Sequence, residues 1–215
     1  MELTRVARPR LEEGSRPTQR LLDIVGASTL LVLSLPMLIA GIALVWIAGG
    51  RPIFFGHRRL GLGGRRFRCW KLRTMSADAE EALDRNPTLR ETHRSNGFKL
   101  PTSTDPRVAR WGRILRRSYV DEIPQLFNVL VGDMSLVGPR PIVPQELELF
   151  GPEAHTLLAV KPGVFGAWNS CGRDRPPYPM RAELELEYVR TRSWIRDLTI
   201  LVRSIRAVLQ GQRDV

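Results

Sequence analysis

Cysteine, histidine and lysine are scarce in this 215-residue chain, at two, three and three residues respectively. Cys69 and Cys171 lie far apart and form no CxxC pair, which excludes a disulfide framework and a zinc ribbon and suits a reducing compartment. His57, His93 and His155 are scattered, with no HExxH or related spacing, so they read as surface or supporting residues and not as metal ligands. No internal repeat or low-complexity tract is present, which leaves one modest catalytic or binding unit. Acidic charge is also short: 33 Lys and Arg face 22 Asp and Glu, for a formal net charge of +11, and 30 of the 33 are arginine. The expected partner is therefore anionic, whether nucleic acid, a phospholipid surface or a phosphorylated substrate.

Charge is absent altogether from Ile24 to Gly50, a run of 27 residues that exceeds the ~20 needed to cross a bilayer. It is too long for the apolar region of a signal peptide, and bulky Trp46 and Ile47 stand near its end. Pro36, near the middle, has no N–H to offer the carbonyl of Val32, so a kink or break is expected there, with the Ser34 hydroxyl placed to satisfy a freed carbonyl. Each half would be about 18–21 Å of helix, short of a hydrocarbon core of about 30 Å. The flanks are basic: residues 1–20 hold five arginines and three glutamates, and residues 51–73 hold eight basic residues and no acid, which places both ends on the cytoplasmic side. A re-entrant helix-break-helix and a tilted, kinked spanning helix both satisfy the local sequence.

Beyond the membrane segment, Ile53 to Phe55 and Phe67 to Trp70 read as strands of a β-hairpin around glycines 61, 63 and 64. No Lys-Ser/Thr follows those glycines, which excludes a nucleotide P-loop, and the arginines around the turn suit anionic lipid headgroups at about 1 kcal/mol each. Residues 76–104 read as a helix in "SADAEEALD" followed by a mobile loop. Asp105 then reads as the N-cap, with Pro106 at the first position, of an amphipathic helix "PRVARWGRILRR". Val108, Trp111 and Leu115 share one face, and Arg107, Arg110, Arg113 and Arg117 gather on another that suits a solvated, membrane or phosphate surface. After Pro179 come one or two helices whose stripe of Trp194, Leu198, Leu201, Ile205 and Val208 is expected mostly in the core. The fold class is α+β, mostly helical, with a small β-hairpin and amphipathic interfacial helices.

Asp121 and Glu122 stand side by side just before Pro124, which opens a short helix "PQLFNVL". The positive end of that helix favours ionised carboxylates and attracts phosphate. Neighbouring side chains diverge, so the two carboxylates suit two tasks better than one shared proton. Downstream, "GDMSLVGPRP" holds Arg140 in a stiff turn, and "KPGVFGAWNSCGRD" is a glycine-rich loop carrying Arg173. Basic loops beside a carboxylate pair suit phosphoryl chemistry that uses a divalent cation. A membrane-tethered module that binds nucleic acid or a protein through the arginine helix is the alternative, but no basic motif interleaved with aromatics supports it.

Five stretches resemble one family, the bacterial sugar transferases, that is, monotopic polyprenyl-phosphate phosphoglycosyltransferases in their minimal catalytic-core form. They are the proline-interrupted apolar segment, "RRLGLGGRRFRCWKLRTM", "DPRVARWGRILRRSYVDEIPQLFNVLVGDMSLVGPRP", "KPGVFGAWNSCGR" and "RDLTILVRSIRAVLQG". The resemblance implies a basic arm at 1–20, a re-entrant membrane helical hairpin at 21–50 broken at Ser34 and Pro36, and a catalytic domain at 51–215 on the cytoplasmic face of the bacterial inner membrane. It implies that Asp121 attacks the sugar-bearing phosphate of a UDP-sugar and releases UMP, after which polyprenyl phosphate takes the phosphosugar. Glu122 would help hold Mg²⁺, and Lys71, Arg73, Arg117, Arg140 and Arg173 would meet phosphate or nucleotide groups. Anionic membrane lipid is a further expected partner, nucleic acid is not, and self-association into a homo-oligomer is compatible with the reading. The chain departs from the family pattern at Asn169, where glutamine is usual, at Phe165, where threonine is common, and at Tyr119, where serine is frequent.

Overall fold

A computed structural model describes residues 17–210 apart from 77, 99, 173 and 174. The apolar segment is one α-helix, α1 (Pro17–Gly49), whose 33 residues make about 50 Å at 1.5 Å per residue. Pro36 lies inside it and does not interrupt it, so the expected break at Ser34 and Pro36 is absent as a change of secondary structure. The Ser34 hydroxyl instead reaches the carbonyl of Leu31 at 3.4 Å. Packing explains the continuity. Asp23, Ala27, Leu38, Gly41 and Val45 are buried at helical spacing along nearly the whole length of α1, and one lost hydrogen bond is small beside that burial.

Consequently α1 is part of the core. Ala27 packs in the same cluster as Val129, Leu136, Val164 and Ile200, and Leu38 and Val45 pack with Leu72, Leu115 and Val120. Gly41 permits the second contact, since a Cβ there would lie 2.7 Å from Val120 and 2.8 Å from Leu72. Both ends of the helix are tied to the rest of the chain by polar groups. Arg20 donates to the carbonyls of Val129 and Leu130, and Asp23 accepts from the Ser135 hydroxyl and the Leu136 N–H, each at 2.8 Å. At the other end Arg73 donates to the carbonyls of Gly49, Gly50 and Arg51.

The hairpin forms as expected, with longer strands: β1 (Phe54–Leu60) pairs antiparallel with β2 (Arg66–Leu72), and His57 faces Cys69 across the ladder. Both cysteines are free. Next come α2 (Ala79–Asp84) and α3 (Pro87–Ser95), so a second helix occupies part of the expected loop, with Asn86 capping the Leu89 N–H and Pro87 at the first position. The arginine helix α4 (Arg110–Arg117) starts later than expected. Asp105 is no N-cap: it is buried and accepts from the backbone N–H, Nε and a terminal nitrogen of Arg107. The chain then makes a 3₁₀ turn (Val120–Glu122) and α5 (Gln125–Val131). A second, parallel sheet pairs β3 (Ser135–Val137) with β4 (Gly163–Phe165), on either side of a 3₁₀ stretch and α6 (Ala154–Leu157).

Two helices close the described chain, α7 (Met180–Arg190) and α8 (Trp194–Gln210). Of the stripe expected mostly in the core, Leu201 packs against it and three others point away. Trp194, Leu198 and Ile205 are exposed, Leu198 at 63 %, whereas Ile200, Ser204 and Ala207 face inward. The side chain of Val208 lies outside the described set. Periodicity had identified an apolar face, and burial went to the neighbouring face of smaller residues.

Candidate active site

The carboxylate pair sits on the 3₁₀ turn between α4 and α5, entered through Tyr119, whose φ of +59° is left-handed. This conformation costs a bulky residue about 1 kcal/mol or more and turns the chain sharply into Val120 and Asp121. Asp121 is only 6 % exposed. Glu122 is fixed from strand β2, where Lys71 places its Nζ 2.5 Å from Oε1, and Arg140 lies 3.9 Å from the same oxygen. Neither contact uses Oε2 of Glu122.

The two acids are driven in opposite directions. Burial pushes the Asp121 carboxyl above its ordinary range, and the Glu122 charge adds to that, against the opposing pull of Lys71, Arg116 and Arg140. Burial acts on Glu122 too, but Lys71 and Arg140 outweigh it and hold that carboxyl well below the usual range. Beside them, burial followed by Arg59 and Lys71 pushes the His57 imidazole down to about 4, so it stands neutral at physiological pH.

Arg140 reaches this point because two loops lock together. Gly138 N–H donates to the Phe165 carbonyl at 3.0 Å and Gly163 N–H to the Pro139 carbonyl at 2.9 Å. A Cβ on Gly163 would lie 2.0 Å from the Gly138 nitrogen, so the approach requires glycine. Arg140 then donates to Asn169 at 3.3 Å and lies over the Trp168 ring. Behind it, Glu146 accepts from Arg181 at 3.1 Å, Arg59 at 3.4 Å and the Val143 N–H at 3.0 Å, and Arg59 also bonds the Pro141 carbonyl. This buried frame fixes the turn that carries Arg140.

Of the expected phosphate contacts, the structure brings Lys71 and Arg140 to the pair. Arg73 goes elsewhere, to the C-terminal carbonyls of α1 and the face of Trp111. Arg117 is exposed near the end of α4, and it is Arg116 that turns inward, donating to the Thr74 hydroxyl at 3.0 Å within the field of Asp121. Arg173 lies outside the described residues. Arg175, two positions on, donates to the Tyr119 hydroxyl at 2.5 Å and covers the rings of Tyr119 and Trp168. Sequence reasoning missed Arg116, Arg175, Arg59 and Glu146. Only Arg59 carried a signal, the strand alternation that sets residues 55, 57 and 59 on one face of the hairpin.

A cleft of about 210 Å³ opens against the pair. α1 contributes Leu30, Ser34 and Met37 to its lining, α8 contributes Ser204 and Ala207, and Glu122 and Asn169 are among its polar members. Asp121 is not part of that lining.

For a metal, the described residues contain no cluster of three or more histidine, cysteine or acidic side chains. Asp121 and the second oxygen of Glu122 are too few for a protein cage. They fit Mg²⁺, which takes one or two carboxylates and completes its shell with water and substrate phosphate oxygens.

The site thus sets a carboxylate pair among Lys71, Arg116 and Arg140, with Glu122 on the edge of a mostly apolar cleft. Sequence comparison makes the class definite. The chain belongs to the bacterial sugar transferase family, whose model matches residues 14–211. It is 40 % identical over 194 residues to the exopolysaccharide production protein ExoY of Rhizobium meliloti, covering 88 % of this chain and 84 % of that one. It is 37 % identical over 211 residues to the UDP-galactose-lipid carrier transferase of Erwinia amylovora and, likewise, to the undecaprenyl-phosphate galactose phosphotransferase of Salmonella typhimurium. Each match covers 97 % of this chain, which spans 44 % of the length of either relative.

Proposed function

We propose that the chain transfers a sugar 1-phosphate from a UDP-sugar to polyprenyl phosphate, with release of UMP, and so begins the assembly of a bacterial surface polysaccharide. The observation that carries this reading is the unequal acid pair: Glu122 is pinned by Lys71 and Arg140, while Asp121 beside it forms no ion pair with a described residue and has a raised proton affinity. The names of the Salmonella and Erwinia relatives, a phosphotransferase and a lipid carrier transferase, support the substrate classes.

In the first step a carboxylate oxygen of Asp121 attacks the sugar-bearing phosphorus. The bond from that phosphorus to the bridging oxygen breaks, UMP leaves with the electron pair, and an aspartyl phosphosugar remains. In the second, a phosphate oxygen of the polyprenyl phosphate attacks the same phosphorus, the acyl phosphate bond breaks, and Asp121 is restored. Lys71, Arg116, Arg140 and Arg175 neutralise the charge of the diphosphate and orient it. Mg²⁺ held by Asp121 and Glu122 would supply further charge neutralisation at the phosphates.

The same reading sets both ends of α1 on the cytoplasmic face of the inner membrane. Arg20 and Asp23 at one end and the Gly49 and Gly50 carbonyls at the other bond to the domain that carries the acid pair, which supports an anchor with both ends on one side.

Incubation of the full chain in membranes with a panel of UDP-sugars, polyprenyl phosphate and Mg²⁺ tests the reaction. UMP release, a polyprenyl diphosphate sugar and a phosphosugar trapped on Asp121 are expected. Full turnover by Asp121→Asn would sink the assignment.

A further inference from the structure

The reaction leaves the apolar part of the cleft without a task. Its long walls are α1 and α8, and both helices also carry outward apolar faces: Val32 and Leu33 on α1, Leu198 and Val202 on α8. An apolar slot between two helices whose outer faces are themselves apolar opens naturally toward hydrocarbon. On the α8 wall the inward residues are small. Ala207 is buried, and Ser204 is 4 % exposed with a hydroxyl that meets no partner among the described residues. The same lining includes Glu122, in the field of Lys71 and Arg140. One occupant matches a mostly apolar slot with a cationic site beside it, a chain with hydrocarbon along its length and a phosphate at its end.

We propose that α8 is the second wall of the acceptor channel: the first isoprene units of the polyprenyl phosphate lie between Met37 of α1 and Ser204 and Ala207 of α8, whose small side chains set the width. This rests on the reaction above and deepens it by assigning specificity residues outside the acid pair. Burial of hydrocarbon in the slot holds the lipid, and the channel delivers its phosphate to the cationic site without removing the tail from the membrane.

Two measurements on the full chain in vesicles of phosphatidylglycerol and phosphatidylethanolamine test the proposal. Ala207→Phe fills the slot and is expected to raise KM for polyprenyl phosphate at least about tenfold while KM for the UDP-sugar stays within about twofold. Ser204→Val, a smaller change, should move the same constant in the same direction. Equal lipid KM in wild type and both variants overturns the channel even though the transferase reading stands. If Ala207→Phe does not fold, photolabelling of the wild type decides, because it needs no turnover. A polyprenyl phosphate carrying a diazirine on its first isoprene unit is expected to mark Met37 and the 204–207 segment. Labelling confined to the outward face at Ile195 and Val202, which signifies bulk lipid contact only, overturns the proposal. Channel labelling without UMP release from any UDP-sugar would instead remove the proposed reaction and leave the lipid site.

Discussion

Lys71 reaches from the open end of the hairpin to Glu122 and stops 2.5 Å from its carboxylate, next to an aspartate that no described lysine or arginine approaches as closely. The hairpin is therefore part of the frame of the acid pair, because strand alternation points Lys71 inward while Arg68 and Trp70 point out. The consequence is a division of labour. Glu122 is held ionised as a fixed anion, and Asp121 carries the higher proton affinity, which suits the proposed nucleophile.

The pH profile follows from the sign of each influence. Burial raises the Asp121 carboxyl, so the acid limb of kcat/KM is expected above the ordinary aspartate range. Lys71 lowers that carboxyl, so Lys71→Met should move the limb to higher pH as well as reduce the rate. A limb that stays in place in the Lys71 variant, or moves to lower pH, contradicts the assignment.

Arg116 and Arg117 are neighbours in sequence with different surroundings. Arg116 is turned toward Thr74 and the field of Asp121, and Arg117 is exposed. Arg116→Met is expected to lower kcat/KM by about 100-fold, the scale of one lost charge-stabilising contact, and Arg117→Met by less than about threefold. Comparable losses in steady-state assays of the two would show that position along α4, and not proximity to Asp121, decides.

The contrast between these two arginines shows what the sequence conveyed. Asp121, Glu122 and Arg140 stood out because each lies in a compact local pattern, an acid pair before a helix-opening proline and a stiff turn, whereas Lys71 stood out only through the family resemblance, since the expected strand ended at Trp70. Arg73 was misjudged because its acceptors are carbonyls at the end of α1, more than twenty residues earlier, and a helix end advertises no preferred partner. The frame of Arg59, Glu146 and Arg181 was illegible for a related reason, since Glu146 in "PQELELF" reads as an exposed acid until the fold brings Arg59 to it from 87 residues away. On α8, period 3.6 gave one apolar stripe, from Trp194 to Val208. Only the partner surface, a slot that accepts serine and alanine, decided which face turned inward.

Asp23 sits at the other end of the design, where α1 meets β3. One carboxylate oxygen accepts from both the Ser135 hydroxyl and the Leu136 N–H in a buried setting. Asp23→Ala leaves those donors without an acceptor and is expected to cost about 3 kcal/mol, or roughly 6–12 °C in the unfolding midpoint. Asp23→Asn retains an acceptor and should cost about a third of that. Thermal unfolding in detergent with a fluorescent reporter checks the order, and equal midpoints for the two variants would remove Asp23 as a latch.

The topology of α1 is the prediction with the widest consequence. Arg20 holds the Val129 and Leu130 carbonyls at 2.6 Å, and Arg73 holds the Gly50 and Arg51 carbonyls at 3.0 and 3.2 Å, so one domain grips both ends of a helix about 50 Å long. If α1 crossed the bilayer, that domain would have to straddle it. Ion pairs such as Asp105 with Arg107 and Glu146 with Arg181 belong to the same domain. Each charged group carried to mid-bilayer costs about 2.5–3.5 kcal/mol or more. An anchor whose two ends stay on one side avoids this cost and keeps Asp121 on that side. Tags at the two termini should therefore both resist protease in intact spheroplasts and both be cut in inverted vesicles. Cleavage of the N-terminal tag alone from the outside would establish a spanning helix, and the shared core of α1 with the catalytic residues would then require another explanation.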